Sequence, residues 1–402
     1  MNVSLKNVWK NTLYRNSLFI ILSSVVTGIF GFVFWTFAAR NYSSQEVGLA
    51  TTVISILGLL SNLSLLGFNI ALLRYSKKDN GKLNFSAVFV SIVASIILAG
   101  IFVIGVQYFL PAVGFLGENL WYASAFIIFT VINSLYLISN SIFIAEGKGY
   151  LVLMKESLFS VTKVACILFL SGVTGLLVSW NAGIALGVLF SFFFIKMHIG
   201  FDLRQLKEIG GFTFYNYWGH IFNMLPTLLL PLIITPFLGP SSTAYFYISW
   251  MIANGLFIVA NATSTNFLSE ASKKSNQWKK KLDHALIFSG MGLLIGTGAI
   301  LLFGHLILSL FSPEYLAGYT LLQVLAVSSI PYGARTLYVS FLNLRNNARE
   351  GAAVNFLVFF VTILGSVLFM EYGLIVIGIS WNVANLAGLA LGMVLKQLEK
   401  TH

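Results

Sequence analysis

The chain has 402 residues, of which 57% are apolar and only 9% charged, and its mean hydropathy is +0.87. A soluble domain carries about 25% charged residues, so this composition excludes a water-solvated fold, and the single Cys166 excludes a disulfide framework. The net charge of +11 is carried by bases in short segments between apolar runs, the pattern of a membrane protein rather than of a nucleic-acid binder.

From the N-terminus, Lys6, Lys10 and Arg15 precede the uncharged run Asn16–Ala39. That run exceeds the 7–15-residue core of a signal peptide and reads as a first transmembrane helix that is retained. Val47–Leu73 and Leu83–Gly117 are also uncharged, and Ile209–Ser269 extends for 61 residues without Asp, Glu, Lys or Arg. Each exceeds the ~20 apolar residues that cross a bilayer as a helix. The longest run must be a hairpin, turning at Leu238-Gly239-Pro240-Ser241-Ser242, where Gly and Pro both break helices. A softer turn lies at Gly172–Gly175. The runs predict twelve spans, near 16–39, 47–73, 85–110, 121–145, 153–172, 174–195, 211–238, 242–268, 285–310, 319–343, 352–371 and 374–396.

Placing the N-terminus in the cytoplasm puts 21 of the 24 Lys and Arg on the cytoplasmic side, Lys148 and Lys155 among them, and Arg40 alone outside. Lys163 and Arg335 fall within spans. This is a strong positive-inside signal, and it sets both termini in the cytoplasm. The polar segment Lys196–Gly211 divides the spans six and six. The expected architecture is all-α, polytopic, with an N-terminal lobe over 1–200 and a C-terminal lobe over 201–402. With an even number of spans per half, any repeat between them is parallel.

Polar residues inside the spans are the candidate site. A charge at mid-membrane costs ~2.5–3.5 kcal/mol, so Lys163 should face protein or water, or snorkel to the interface. Arg335 follows Pro331 by four residues and shares a helix face with Tyr332 and Tyr338. Its planar fork suits phosphate oxygens; the alternative is an Arg bonded to carbonyls freed by Pro331. Asn216, His220 and Asn223 form one stripe of the seventh span, upstream of Pro226, Pro231 and Pro236, which should bend it. Ser55, Asn62 and Asn69 line the second span, and Tyr247, Asn254 and Asn261 the eighth. Ser24, Thr27, Gly28 and Gly31 share one side of the first. Any one stripe can be interhelical glue; four together suggest a shared wet cavity. Arg40 and Glu46 close the first external turn, where a rim salt bridge is the plainer reading. No Asp or Glu is placed deep in a span, no metal-binding or catalytic motif appears, and the external loops are too short for a membrane glycosyltransferase or polymerase. No cofactor and no metal are implied.

Four stretches, Phe30–Ser55, Leu66–Tyr75, Leu225–Gly255 and Leu308–Asn346, resemble the polysaccharide or O-antigen repeat-unit flippases of the multidrug/oligosaccharidyl-lipid/polysaccharide (MOP) exporter superfamily. The resemblance implies two six-helix lobes around a central cavity lined by spans one, two, seven and eight. It implies a non-enzymatic transporter in the cytoplasmic (inner) membrane, moving a sugar repeat unit on a polyisoprenyl diphosphate to the outer leaflet. Partners would be membrane lipids, the lipid-linked oligosaccharide, and glycosyltransferases and a polymerase of the same pathway. On this reading Arg335, Lys163 and Arg40 attract the diphosphate, while Asn62, Asn216, Asn223, Asn254, Asn261 and His220 bond sugar hydroxyls. The alternative is a cation-coupled multidrug or metabolite exporter of the same superfamily.

Overall fold

A computed structural model describes residues 12–75, 81–201, 210–273, 278–345 and 347–398. The described residues form fourteen α-helices and no strands. Twelve are long: α1 (Thr12–Asn41), α2 (Ser44–Ser64), α4 (Gly81–Phe109), α6 (Leu120–Ala145), α7 (Gly149–Ile167), α8 (Gly172–Phe192), α9 (Gly210–Leu238), α10 (Pro240–Lys273), α11 (Trp278–Ser309), α12 (Tyr319–Leu344), α13 (Ala348–Leu368) and α14 (Ile375–Leu398). Two are short, α3 (Phe68–Tyr75) and α5 (Phe115–Glu118). Each long helix coincides with one of the twelve spans read from hydropathy, within a few residues except at two ends. The bases Lys6, Lys10, Lys77, Lys78, Arg204, Lys207, Lys274 and Lys400, counted in the orientation argument, lie outside the described residues.

Ten of the long helices are long and apolar enough to cross a membrane, and the chain is a multi-pass membrane protein. The two outside that set are α7 and α12. Helix α7 carries Lys155, Glu156 and Lys163, and α12 carries Arg335.

Three local features show how the sequence sets the helix ends. Ser43 caps α2 in a capping box, its hydroxyl accepting from the Glu46 N–H while the Glu46 carboxylate accepts from the Ser43 N–H at 2.9 Å. The hairpin turn falls where Gly and Pro predicted it: Gly239 takes φ +85°, and its N–H reaches back to the Thr235 carbonyl. The second span, expected as one helix over 47–73, is instead broken. Helix α2 stops at Ser64 and α3 restarts at Phe68, with Leu66 at φ +47° and Gly67 at φ +87°. Gly67 accepts the left-handed conformation without a Cβ clash; Leu66 holds it at about 1–2 kcal/mol.

The chain folds as two compact units, Met1–Tyr217 and Trp218–His402, so the dividing line runs inside α9. In the first unit α1 packs along α7, α7 on α8, and α6 against α2, α4 and α8. A hydroxyl chain joins three of these helices: Ser134 on α6 meets Ser64 on α2 at 2.8 Å and Ser95 on α4 at 2.5 Å, all buried. In the second unit α12 is the central element, packed by α10, α11 and α14, with α13 laid on α14. Wide outward apolar surfaces, such as Ile96, Ile97, Ile101 and Ile104 of α4, remain exposed, as expected when lipid is the solvent.

Candidate functional site

The deep charges are gathered on α7 and α12, one helix in each unit. On α7, Lys155 is fully buried; its ammonium donates to the Tyr136 carbonyl at 2.7 Å and the Ser139 hydroxyl at 3.1 Å, and lies 3.6 Å from the Tyr136 ring centre. Lys155 is therefore no loop base, and it leaves the orientation count. With a fifth span from 153, Lys155 falls at the edge and counts as a loop base. Starting at Gly149 instead puts Lys155 seventh in a helix of 19 residues.

Glu156 is the eighth residue of that helix, which corrects the expectation that no acid lies deep in a span. Its carboxylate accepts from the Asn140 amide at 2.9 Å and from the Thr27 hydroxyl at 3.3 Å. Thr27 thus spends its hydroxyl on a neighbouring helix. The signal for Glu156 is in the sequence: it lies inside the predicted span 153–172, between Lys155 and Lys163, which together dilute the apolar character of one short segment.

Lys163 lies two turns further along α7, 1% exposed. Its ammonium sits 4.2 Å from the Phe159 ring centre, 4.6 Å from Trp180 and 5.8 Å from Phe34. Three ring faces present negative quadrupole to one cation, an arrangement worth about 2 kcal/mol or more where water is excluded. The snorkelling alternative does not describe this geometry.

On α12, Arg335 is 1% exposed. Its Nε donates to Asn385 Oδ1 at 2.9 Å, Nη1 to Asn355 Oδ1 at 2.6 Å and Nη2 to Asn223 Oδ1 at 3.1 Å. One guanidinium thereby ties α12 to α14, α13 and α9. Its carbon lies 5.1 Å from the Tyr332 ring centre, and Tyr332 belongs to an aromatic cluster with Phe257 and Trp381. The acceptors are amides, not carbonyls freed by Pro331, and among the described residues no carboxylate pairs with this cation.

The other expected site residues are distributed as follows. Asn261 accepts from the Tyr332 hydroxyl at 3.0 Å. Asn62 donates to the Gly58 carbonyl of its own helix at 2.8 Å. Asn254 and His220 are exposed, Asn216 is half-buried, and Arg40 is exposed at the end of α1. The structure brings Asn223 to Arg335, and Asn261 to the same unit through Tyr332. Asn355 and Asn385 lie among apolar residues with no charge or motif to mark them, and they become partners only when α13 and α14 pack beside α12.

No protein-family profile matches the chain, and no curated protein sequence does. Solved structures do share its fold. A lipid II flippase MurJ in an inward closed conformation matches with a TM-score of 0.76 at 16% identity, covering 94% of this chain and 87% of that one. An inward-facing multidrug resistance MATE family transporter of the MOP superfamily matches with a TM-score of 0.71 at 14% identity, covering 94% of each chain. A MATE protein in complex with MaL6 gives a TM-score of 0.64 at 16% identity over 96% of this chain. The chain therefore has the helical transporter fold shared by MATE proteins and MurJ.

Proposed function

We propose that this chain is a flippase for a lipid-linked oligosaccharide whose headgroup is a diphosphate, carried across the cytoplasmic membrane by alternating access. The observation that carries the proposal is Arg335: a permanently charged guanidinium in the core of the C-terminal unit, whose hydrogen-bond acceptors among the described residues are three amide oxygens. Isolated buried charge is costly, and a transporter of anionic headgroups has a use for positive potential at that depth. Lys163 adds a second deep cation. Arg40, Asn216, His220, Asn254 and Asn62 are the proposed contacts for the headgroup and its sugars during passage. For a headgroup bearing two negative charges, an inside-negative potential of 100 mV favours export by ~4.6 kcal/mol, at ~2.3 kcal/mol per charge. Glycosyltransferases and a polymerase that make and consume the glycan are the proposed pathway partners.

The test is a leaflet-resolved assay in vesicles with defined lipid-linked sugars. Wild type should expose the labelled sugar on the far leaflet and Arg335→Ala should slow it at least tenfold. Transport unchanged by that substitution would remove Arg335 from the mechanism. A second reading, a cation-coupled multidrug or metabolite exporter, is favoured by Glu156, a carboxylate midway along α7 suited to exchanging a proton or metal cation. Drug resistance conferred on a sensitised host, without any effect on surface glycan, would select it.

A further inference from the structure

The three arms that hold Arg335 are not equivalent. Asn385 is fully buried and its amide nitrogen is fixed by the Trp381 carbonyl at 2.8 Å. Asn355 is 8% exposed and its nitrogen is fixed by the Gly219 carbonyl at 2.9 Å. Both oxygens are thus aimed by a second bond. Asn223 is only half-buried, its bond to Nη2 is the longest of the three, and its own amide nitrogen has no partner among the described residues. It also stands just before the weakest part of its helix. Pro226 has no N–H to give the Phe222 carbonyl, so the helical ladder is interrupted one residue from Asn223.

The guanidinium is itself incompletely served. It has five N–H donors, and the three asparagines engage one on each nitrogen. One further N–H on Nη1 and one on Nη2 have no acceptor among the described residues, and neither does the charge have a counter-charge. Paired N–H groups on one guanidinium edge match two oxygens of a phosphate.

We infer that Arg335 is the floor of an oxyanion site for a diphosphate, and that the Asn223 side chain is its exchangeable plug, occupying Nη2 until a phosphate oxygen replaces it. Asn385 and Asn355 hold the guanidinium from behind throughout. A phosphate oxygen supplies the negative charge that an amide oxygen lacks, so exchange is favourable once the anion arrives. Because Asn223 rides on α9, its release also frees α9 from α12, and headgroup binding loosens one of the four helices the guanidinium ties. The inference rests on the flippase reading for the source of the diphosphate, but the site can be tested without transport.

The experiment uses the full chain in nanodiscs of uncharged phosphatidylcholine, titrated calorimetrically with inorganic pyrophosphate and with geranylgeranyl diphosphate. Asn223→Ala should tighten both by about tenfold, since the plug is gone and the rear arms remain. Asn223→Asp should abolish binding, because a tethered carboxylate pairs with Arg335, and it should raise the melting temperature. These substitutions fall on a half-buried residue, so the test does not depend on the folding of Arg335→Ala. Equal affinity for wild type and Asn223→Ala, or undiminished binding by Asn223→Asp, would overturn the plug. That outcome, with flipping still lost in Arg335→Ala, leaves the transport reading standing. Asn223-dependent binding of pyrophosphate in a protein that flips no lipid-linked sugar sinks the transport reading and keeps the site. Binding of geranylgeranyl diphosphate well above pyrophosphate identifies a lipid source.

Discussion

Glu46, seen in sequence beside Arg40, looks like half of a rim salt bridge, yet its carboxylate is committed to the backbone and hydroxyl of Ser43. The motif Ser43-Ser44-Gln45-Glu46 carries a capping box in plain view, and local rules of helix ends decide its geometry. Ser43→Ala should lower stability by about 1 kcal/mol, read as an earlier thermal unfolding midpoint in detergent, while Glu46→Gln keeps an acceptor and loses less. Lys155 and Glu156 went the other way. Adjacent in sequence, they look like the solvated start of a span, but each finds its partner on another helix, at Tyr136, Ser139, Asn140 and Thr27. Only packing of α1, α6 and α7 makes burial of these charges tolerable. Asn385→Leu should cost about 3 kcal/mol by leaving Nε of the buried guanidinium unsatisfied, checked by the same unfolding measurement, whereas Asn254→Leu on an exposed position should be near neutral.

At the scale of elements, the spacing of uncharged runs located the twelve long helices of the described residues and the hairpin turn at Gly239, because a bilayer-spanning helix must be apolar over its own length, as ten of the twelve are. It missed the break between α2 and α3. Leu65 and Leu66 are as apolar as their neighbours, and Gly67 inside a long apolar run signals a break only weakly. What holds the break is outside the segment: the Tyr217 hydroxyl donates to the Leu63 carbonyl at 3.0 Å, in the last turn of α2. Leu66→Gly should stabilise the protein by up to about 1 kcal/mol, since glycine takes positive φ without the side-chain clash. A lower midpoint for this variant would mean that the exposed Leu66 side chain has a contact worth more than the strain. The prolines of α9 were legible as bending points; that the first of them adjoins an arm of Arg335 was not.

For the whole molecule, the balance of deep charge is the property most relevant to function. Lys155, Lys163 and Arg335 stand against Glu156 within α7 and α12. That balance is what the proposed anionic substrate would use, and it separates the two transport readings by experiment. Glu156→Gln retains an acceptor for Asn140 and removes the charge. Flipping driven by membrane potential should survive it, whereas an exporter that exchanges cations should lose its dependence on an imposed pH gradient, measured with a pH-sensitive dye in vesicles.

The sequence by itself determined a helical, multi-pass membrane protein and the positions of the twelve long helices among the described residues, because burial in hydrocarbon is a cost summed locally along the chain and leaves its mark on most of them, ten being apolar enough to span. It also singled out Arg335 and Lys163, since a charge inside such a window stands out against everything around it. Only the tertiary structure decided what those charges touch: three aromatic rings around Lys163, three asparagines around Arg335, and a carboxylate in the same helix as two buried lysines. Partners as much as 129 residues apart, as Thr27 is from Glu156, obey no spacing rule that a linear reading can sum, because their meeting is fixed by how whole helices pack.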